Sequence, residues 1–353
     1  MNTRRTRTAA GIAAPAIFLA DSAHRPVNAS AGAPIGVNLG AKESDGAMPK
    51  AYVFTQYGGP ETEALVEQDR PAPGPGQLLV AVRAAGVNPV DFKQRTGYQR
   101  PGQQRRALPA VFGNEAAGVV EEVGEGVTGF AVGDEVFGNP VAGGYAEYAL
   151  LPVEVTAHKP AGVSFTDAAA LPVAAATAYD GLRQLGLPAG ATLLLTGAGG
   201  GVGVAVAQIA RAGALHVIGV ASAGKKDLVE SLGAAHVPSG PDFAEGVRAL
   251  APDGVDAVYD LVGGEVLRAA AELVADRTKL ITAGGKDIVA DLGGSPVVRA
   301  RSAAVLDEVA RLVADGALDP LVTRTFPLDE AAGALRAVEE GHARGKIVIE
   351  VAA

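Results

Sequence analysis

Hydrophobic positions along the chain fall into two textures. Between Met48 and about Pro160 the apolar runs are short, rich in valine and alanine, and cut by glycine and proline: Ala51 to Phe54, Gln77 to Val82, Gly118 to Val123, Asp134 to Phe137 and Tyr145 to Leu150. Short runs bounded by closely spaced turn residues predict strands, and strands joined this tightly predict a small barrel-like β domain. From Thr166 the runs lengthen and alternate in kind. A helical pattern over Thr166 to Leu185 precedes an apolar strand at Ala191 to Thr196, a glycine cluster and a helical stretch from Val202 to Ala212. A strand at His216 to Ala221 and a helix near Lys225 to Leu232 follow, then strands at Val255 to Asp260 and Thr278 to Thr282. A helix at Leu328 to Gly341 leads into a last strand, Lys346 to Val351. Strands too apolar to have a wet face, alternating with helices, predict a parallel sheet covered on both sides. The expected fold class is α/β, a partly open β-barrel beside a doubly wound parallel sheet.

The first 47 residues follow neither texture. Arg4, Arg5 and Arg7 lead into the apolar run Gly11 to Ala20, and small and polar residues continue to Gly46. A basic start, an apolar run and small residues near Ala23 make a poor secretory signal. The reading adopted for residues 1–47 is a disordered leader or an artefact of start-site choice, because the strand pattern begins at once from Met48. Elsewhere no apolar run approaches the ~20 residues that cross a bilayer. No membrane partner and a cytoplasmic location are expected.

Composition narrows the chemistry. The 353 residues are 48% hydrophobic, which excludes disorder for the bulk of the chain, and the formal charge of −9 offers no footprint for nucleic acid. There is no cysteine, hence no disulfide, no thiolate nucleophile and no cysteine-ligated metal. The histidines, His24, His158, His216, His236 and His342, show no pair at ligand spacing.

The cluster Gly197-Ala-Gly-Gly-Gly-Val-Gly203 sits between a predicted strand and a predicted helix. Residues without Cβ atoms let a diphosphate approach the backbone, and amides at a helix start supply the positive pole. A strict GxGxxG fits no register, but Ala198-x-Gly200-x-x-Gly203 does, which makes Ala198, Gly199, Gly200, Gly201, Val202 and Gly203 the expected dinucleotide-binding turn. Alternatively, the turn serves only tight strand-to-helix packing. The end of the second strand selects the dinucleotide. A carboxylate there would hold the ribose 2′-hydroxyl, whereas this chain has Ser222 with Lys225 and Lys226 beyond it. A hydroxyl and ammonium groups suit a 2′-phosphate, so NADPH is expected over NADH; the alternative is that the two lysines merely open a solvated helix.

These residues, with several segments in order, resemble the medium-chain dehydrogenase/reductase superfamily and its zinc-free NADPH:quinone oxidoreductase (zeta-crystallin-like) branch. The segments run Ala85 to Gly97, Gly113 to Val120, Gly124 to Val136, Gly144 to Tyr148, Ala170 to Ala178, the glycine cluster, Asp260 to Gly264 and Gly341 to Lys346, covering the chain from Met48 onward. The resemblance implies a GroES-like catalytic domain at 48–168, completed by 310–353, with a Rossmann NADP-binding domain at 169–309, and it implies a homodimer. Zinc-dependent members hold their catalytic metal with a cysteine where this chain has Asn88 and a histidine where it has Asn114, so no metal is expected.

The resemblance further places Asn88, Asp91 and Asn114 on the catalytic side of the cleft, with Asn88 able to donate to an acceptor oxygen. Tyr98 is its candidate proton donor or orienting group, or else a loop aromatic covering the barrel; Asp91 is otherwise a turn cap beside Pro89. On the cofactor side it places Thr177 near the nicotinamide, Val262 and Gly263 along its ribose, and Ala283 and Gly284 at the next strand end. Arg344 and Lys346 either meet a phosphate or start the last strand. The implied activity is hydride transfer from NADPH, without metal, to a quinone or an α,β-unsaturated carbonyl. Two alternatives are an enoyl reductase of a polyketide or secondary-metabolite pathway and a nucleotide-binding module without turnover. The acceptor's identity is written in loops such as Tyr98 to Leu108 and Ala290 to Arg301.

Overall fold

The computed structural model describes residues 48–99, 105–341 and 343–352; the expected leader and the segment 100–104 lie outside them. The barrel domain comprises β1 (Lys50–Phe54), β2 (Glu63–Glu67), β3 (Gln77–Val87), α1 (Pro89–Arg95), β4 (Ala110–Val111), β5 (Ala116–Val123), β6 (Glu135–Gly138), β7 (Tyr148–Pro152) and β8 (Thr156–His158). The run expected from Tyr145 thus pairs as a strand only from Tyr148.

Next come α2 (Phe165–Ala169) and α3 (Ala176–Leu185), in place of the single helix the pattern predicts. A wide π turn over Leu171–Ala175 separates them. Pro172 has no N–H to donate and its ring crowds the carbonyl one turn back, so the helix opens there.

The second domain comprises β9 (Thr192–Thr196), α4 (Gly201–Ala212), β10 (His216–Ala221), α5 (Lys226–Ser231), β11 (Ala235–Pro238), α6 (Phe243–Leu250), β12 (Ala257–Asp260), α7 (Gly264–Ala271), β13 (Leu280–Thr282) and β14 (Ser295–Pro296). Its parallel strands stand in the order β11-β10-β9-β12-β13-β14. Leu193, Leu194 and Leu195 of β9 are all fully buried. Successive strand residues point to opposite faces, so both faces are covered and the sheet is a doubly wound Rossmann sheet. The chain works outward from β9 to β11, then returns to the other side of β9 as β12. That reversal leaves a crevice at the carboxyl ends of β9 and β12, where open α/β sheets take their ligands.

Helix α8 (Ala303–Ala314) leads back to the barrel, which β15 (Val322–Pro327), α9 (Ala331–Glu339) and β16 (Lys346–Glu350) complete. One edge of β3 changes partner halfway: Gln77 to Ala81 pair with β7, and Ala84 to Val87 pair with β16. The chain's last strand therefore sits against Val87, next to the turn into α1. A buried arginine fixes this return. Arg95 at the end of α1 pairs with Glu63 of β2 and, at 2.9 Å, with Glu339 of α9. A shared core joins the domains, with Phe137 and Val348 of the barrel in one cluster with Leu193 and Leu195 of the Rossmann sheet.

Candidate active site

A cleft of about 450 Å³ opens at the sheet's reversal point. One wall is made of strand ends: Thr196 and Gly197 after β9, Ala221 and Ser222 after β10, Ser239 and Gly240 after β11, Leu261 and Val262 after β12. The facing wall belongs to the barrel domain: Val87, Asn88 and Pro89 leaving β3, and Gly345, Lys346 and Ile347 entering β16.

The first wall presents backbone. Gly197 adopts φ +72°, turning the chain out of β9, and α4 begins with Gly200 as an N-cap that no side chain reinforces. The N–H groups of its first turn, in the stretch Gly201 to Gly203 that lines the cleft, thus have no side-chain acceptor. Two glycines do different work. A Cβ on Gly203 would overlap the Gly197 carbonyl oxygen and come within 2.7 Å of the Ala198 backbone, whereas at Gly200 the nearest atom would be 3.6 Å away. Gly203 closes the turn, and Gly200 leaves open space before an uncapped helix start. That arrangement fits a dinucleotide diphosphate.

A buried carboxylate holds these strand ends together. Asp260, at the end of β12 and fully buried, accepts from Thr196 of β9 at 2.6 Å, from Thr282 of β13, and from the Gly263 N–H at 2.9 Å. Thr282 in turn accepts from the N–H groups of Gly284 and Gly285 at 3.0 and 2.8 Å. The loops after three strands thereby share one anchor.

Beyond β10, Ser222 and Lys225 line the cleft. The Lys225 ammonium donates at 2.7 Å to the Ala343 carbonyl, and Arg344 donates to that of Gly224. Burial, and then the Arg344 charge, hold Lys225 below lysine's usual pKa.

The second wall is a network of side chains. Asn88 bonds to Glu115 and Lys346, each at 2.7 Å. Behind it, the fully buried Asp91 accepts from the Asn88 N–H and the Tyr145 hydroxyl, both at 2.8 Å, and from the Asn114 amide. Burial pushes the Asp91 carboxyl up, against the pull of its donors Asn114, Tyr145 and Asn88. Asn114 is also held by Gln94 at 2.9 Å, and its carbonyl accepts from Asn139 at 2.8 Å.

Of the residues singled out from the sequence, the cleft brings together Asn88, Gly199 to Gly203, Ser222, Lys225, Val262 and Lys346. Others lie outside its lining. Asp91 and Asn114 sit behind Asn88; Ala198 is buried under the turn; Tyr98 is exposed at the end of α1; Lys226 is exposed and pairs with Glu230 at 3.8 Å. The Thr177 hydroxyl donates to the Val173 carbonyl in the π turn and accepts from Arg299 at 2.6 Å, which also pairs with Asp180. Gly263, Ala283 and Gly284 stand at the ends of β12 and β13, and Arg344 heads the last strand.

Family models match over most of this architecture: the alcohol dehydrogenase GroES-like domain over residues 74–161 and zinc-binding dehydrogenase over 232–349. The NADPH-dependent alkenal/one oxidoreductase of Arabidopsis thaliana is 33% identical over 329 residues, covering 89% of this chain and 82% of that protein. The 2-methylene-furan-3-one reductase of Solanum lycopersicum is 39% identical over 227 residues, 61% of this chain; the match spans 57% of that protein's length. The structure of the quinone oxidoreductase from Coxiella burnetii superposes with a TM-score of 0.79 at 30% identity, covering 86% of this chain and 99% of that one. This chain belongs to the medium-chain dehydrogenase/reductase superfamily. It carries that family's GroES-like domain and pyridine-nucleotide-binding Rossmann domain.

The residues of this member do not suit the zinc that one matched family is named for. Asn88 and Asn114 offer neutral amides already engaged by Glu115, Asp91 and Gln94, and a lysine ammonium stands 2.7 Å from the Asn88 oxygen. Zinc wants thiolate, imidazole or carboxylate donors, and a fixed cation would repel it. Among the described residues, no group of three or more histidines, aspartates or glutamates is placed to hold a metal ion.

Sequence reasoning passed over Glu115, Asp260, Gln94 and Tyr145. Glu115 carried a signal: a lone acid opening the apolar run Ala116 to Val120 must be paired if that strand is buried. Asp260 had the same mark at the end of β12.

Proposed function

We propose that this chain is an NADPH-dependent reductase that delivers hydride, without a metal, to a quinone or to the β-carbon of an α,β-unsaturated carbonyl. One observation carries the reading: a single cleft has an uncapped helix start on one wall and the Asn88 amide on the other. The similar proteins named for alkenal/one, furanone and quinone substrates support the same pair of acceptors.

The N–H groups of Gly201, Val202 and Gly203 hold the diphosphate, and Ser222 with Lys225 receives the 2′-phosphate, with Arg344 adding positive charge nearby. The nicotinamide, when bound, supplies the hydride. Val262, with Val87 and Ala174, gives its end of the cleft an apolar lining, and Thr177, Gly263, Ala283 and Gly284 act from outside that lining. Asn88 donates an amide N–H to the acceptor oxygen as negative charge builds there. Losing one donor of this kind costs roughly 10²–10³ in kcat. Tyr98, exposed and outside the cleft lining, delivers the proton that completes the reduction only if it moves inward; otherwise solvent supplies it. An acceptor that is already electron-poor needs no Lewis acid, which is consistent with the cleft's amides and ammonium.

No helix among the described residues is long and apolar enough to cross a membrane; we place the protein in the cytoplasm as a homodimer, which light scattering checks. The function is tested by titrating the purified chain with NADPH and NADH, then adding a quinone panel and an enone panel. Tighter binding of NADPH and its consumption with at least one panel are expected. Equal affinity for NADH would remove the role of Ser222 and Lys225, and tight binding with no consumption would make the chain a binding module.

A further inference from the structure

We propose that the buried pair Glu115–Lys346 sets the orientation of the Asn88 amide, which makes both residues positioning residues for hydride transfer. This rests on the assignment of Asn88 to the acceptor oxygen.

The Lys346 ammonium bonds at 2.6 Å to Glu115 Oε1, at 2.7 Å to Asn88 Oδ1 and at 3.2 Å to the Val87 carbonyl. An ammonium has three protons and accepts nothing, so these bonds exhaust it. Although Lys346 runs beside Gly201 in the phosphate turn, its charge is spent on the catalytic wall. Glu115 is equally committed: Oε1 also accepts from Asn88 Nδ2 at 2.7 Å, and Oε2 accepts from the Val173 N–H of the π turn at 2.7 Å.

Charge then decides which end of the amide is which. Only the carbonyl oxygen can face the ammonium, and only the NH₂ can face the carboxylate. One Nδ2–H remains outside these bonds, on a residue that lines the cleft. Asn88, Glu115 and Lys346 are exposed by 4%, 0% and 3%, so water does not compete for the amide. Without the pair the amide is free to turn, presenting an oxygen where a donor is needed. The π turn enters the same device, because its displaced N–H anchors the outer oxygen of Glu115.

The test is a double-mutant cycle on the full chain, reading kcat, acceptor KM, NADPH Kd by fluorescence titration, and melting temperature. Glu115→Gln is expected to lower kcat roughly 10- to 100-fold, as misplacement of a reacting group does, with NADPH Kd unchanged within about twofold. In the Asn88→Ala background the same substitution should add almost nothing, while Lys346→Arg should keep most of the wild-type kcat. If Glu115→Gln alone does not fold, the charge-free pair Glu115→Gln with Lys346→Met replaces it, and the same kcat loss is expected. Losses that multiply with Asn88→Ala, a parallel loss of NADPH affinity, or full kcat in the charge-free pair would overturn the inference. A wild-type chain that consumes no NADPH with any acceptor would instead overturn the proposed function.

Discussion

On the Rossmann side of the cleft the surface is mostly main chain: a turn with φ +72° at Gly197, a first turn of α4 without a side-chain cap, and loops tied back to Asp260. On the barrel side it is side chains, with Asn88, Asp91, Asn114, Glu115 and Lys346 bonded to one another in near-complete burial. On the first wall a methyl group at Gly203 would strike the backbone of Gly197 and Ala198, whereas the second depends on the paired charges of Glu115 and Lys346. A diphosphate needs many equivalent donors close to the backbone, which glycines allow. An acceptor oxygen needs one donor held in one direction, which a saturated network provides.

The largest effect expected from breaking this contrast is in the network. Lys346→Met leaves the Glu115 carboxylate buried without its cation, which typically costs about 3–5 kcal/mol. The melting temperature should fall sharply and recover for the most part when Glu115→Gln is added. By comparison, the exposed Lys226–Glu230 pair is worth about 0–1 kcal/mol, and Lys226→Met should barely move the transition.

On the other wall a single methyl group suffices. Gly203→Ala forces a Cβ into the backbone of Gly197 and Ala198, and overpacking of this kind costs about 1–3 kcal/mol. The denaturation midpoint should fall, and nucleotide binding with it. Gly200→Ala meets no close atom, so its stability should match wild type while NADPH affinity drops about tenfold, near 1.4 kcal/mol. Equal effects from the two substitutions would erase the division between a residue that closes the turn and one that clears space before it.

The smallest predicted effect concerns Lys225, which remains partly exposed. A 2′-phosphate binds its protonated form. Because burial and Arg344 lower its pKa, NADPH affinity should decline as pH rises through that lowered value, earlier than for an ordinary lysine. NADH affinity should stay flat over the same range, and Lys225→Met should remove the difference between the two profiles.

The Rossmann-side wall was legible in the sequence because its elements are consecutive. Strand, glycine turn, helix and second strand occupy Thr192 to Ala221, and period and turn chemistry report such local order. The barrel-side wall was legible only in part. Asn88 stood out by resemblance, but its partners lie far along the chain, Glu115 in β5 and Lys346 in the last strand, and no local pattern links them. The single helix expected over Thr166 to Leu185 failed at Pro172, a residue that announces such a break. Helices α6, α7 and α8 lie outside the runs named above although each buries an apolar face, as Val305, Leu306, Val309 and Leu312 of α8 do.

Transfer of hydride across this cleft is tested most directly with NADPH deuterated at both C4 positions of the nicotinamide and an α,β-unsaturated ketone in ordinary water. The account predicts a saturated product carrying one deuterium at the β-carbon and hydrogen from solvent at the α-carbon. A reduced ketone with no deuterium at the β-carbon, or NADPH that stays bound and unconsumed with both the enone and the quinones, would contradict it.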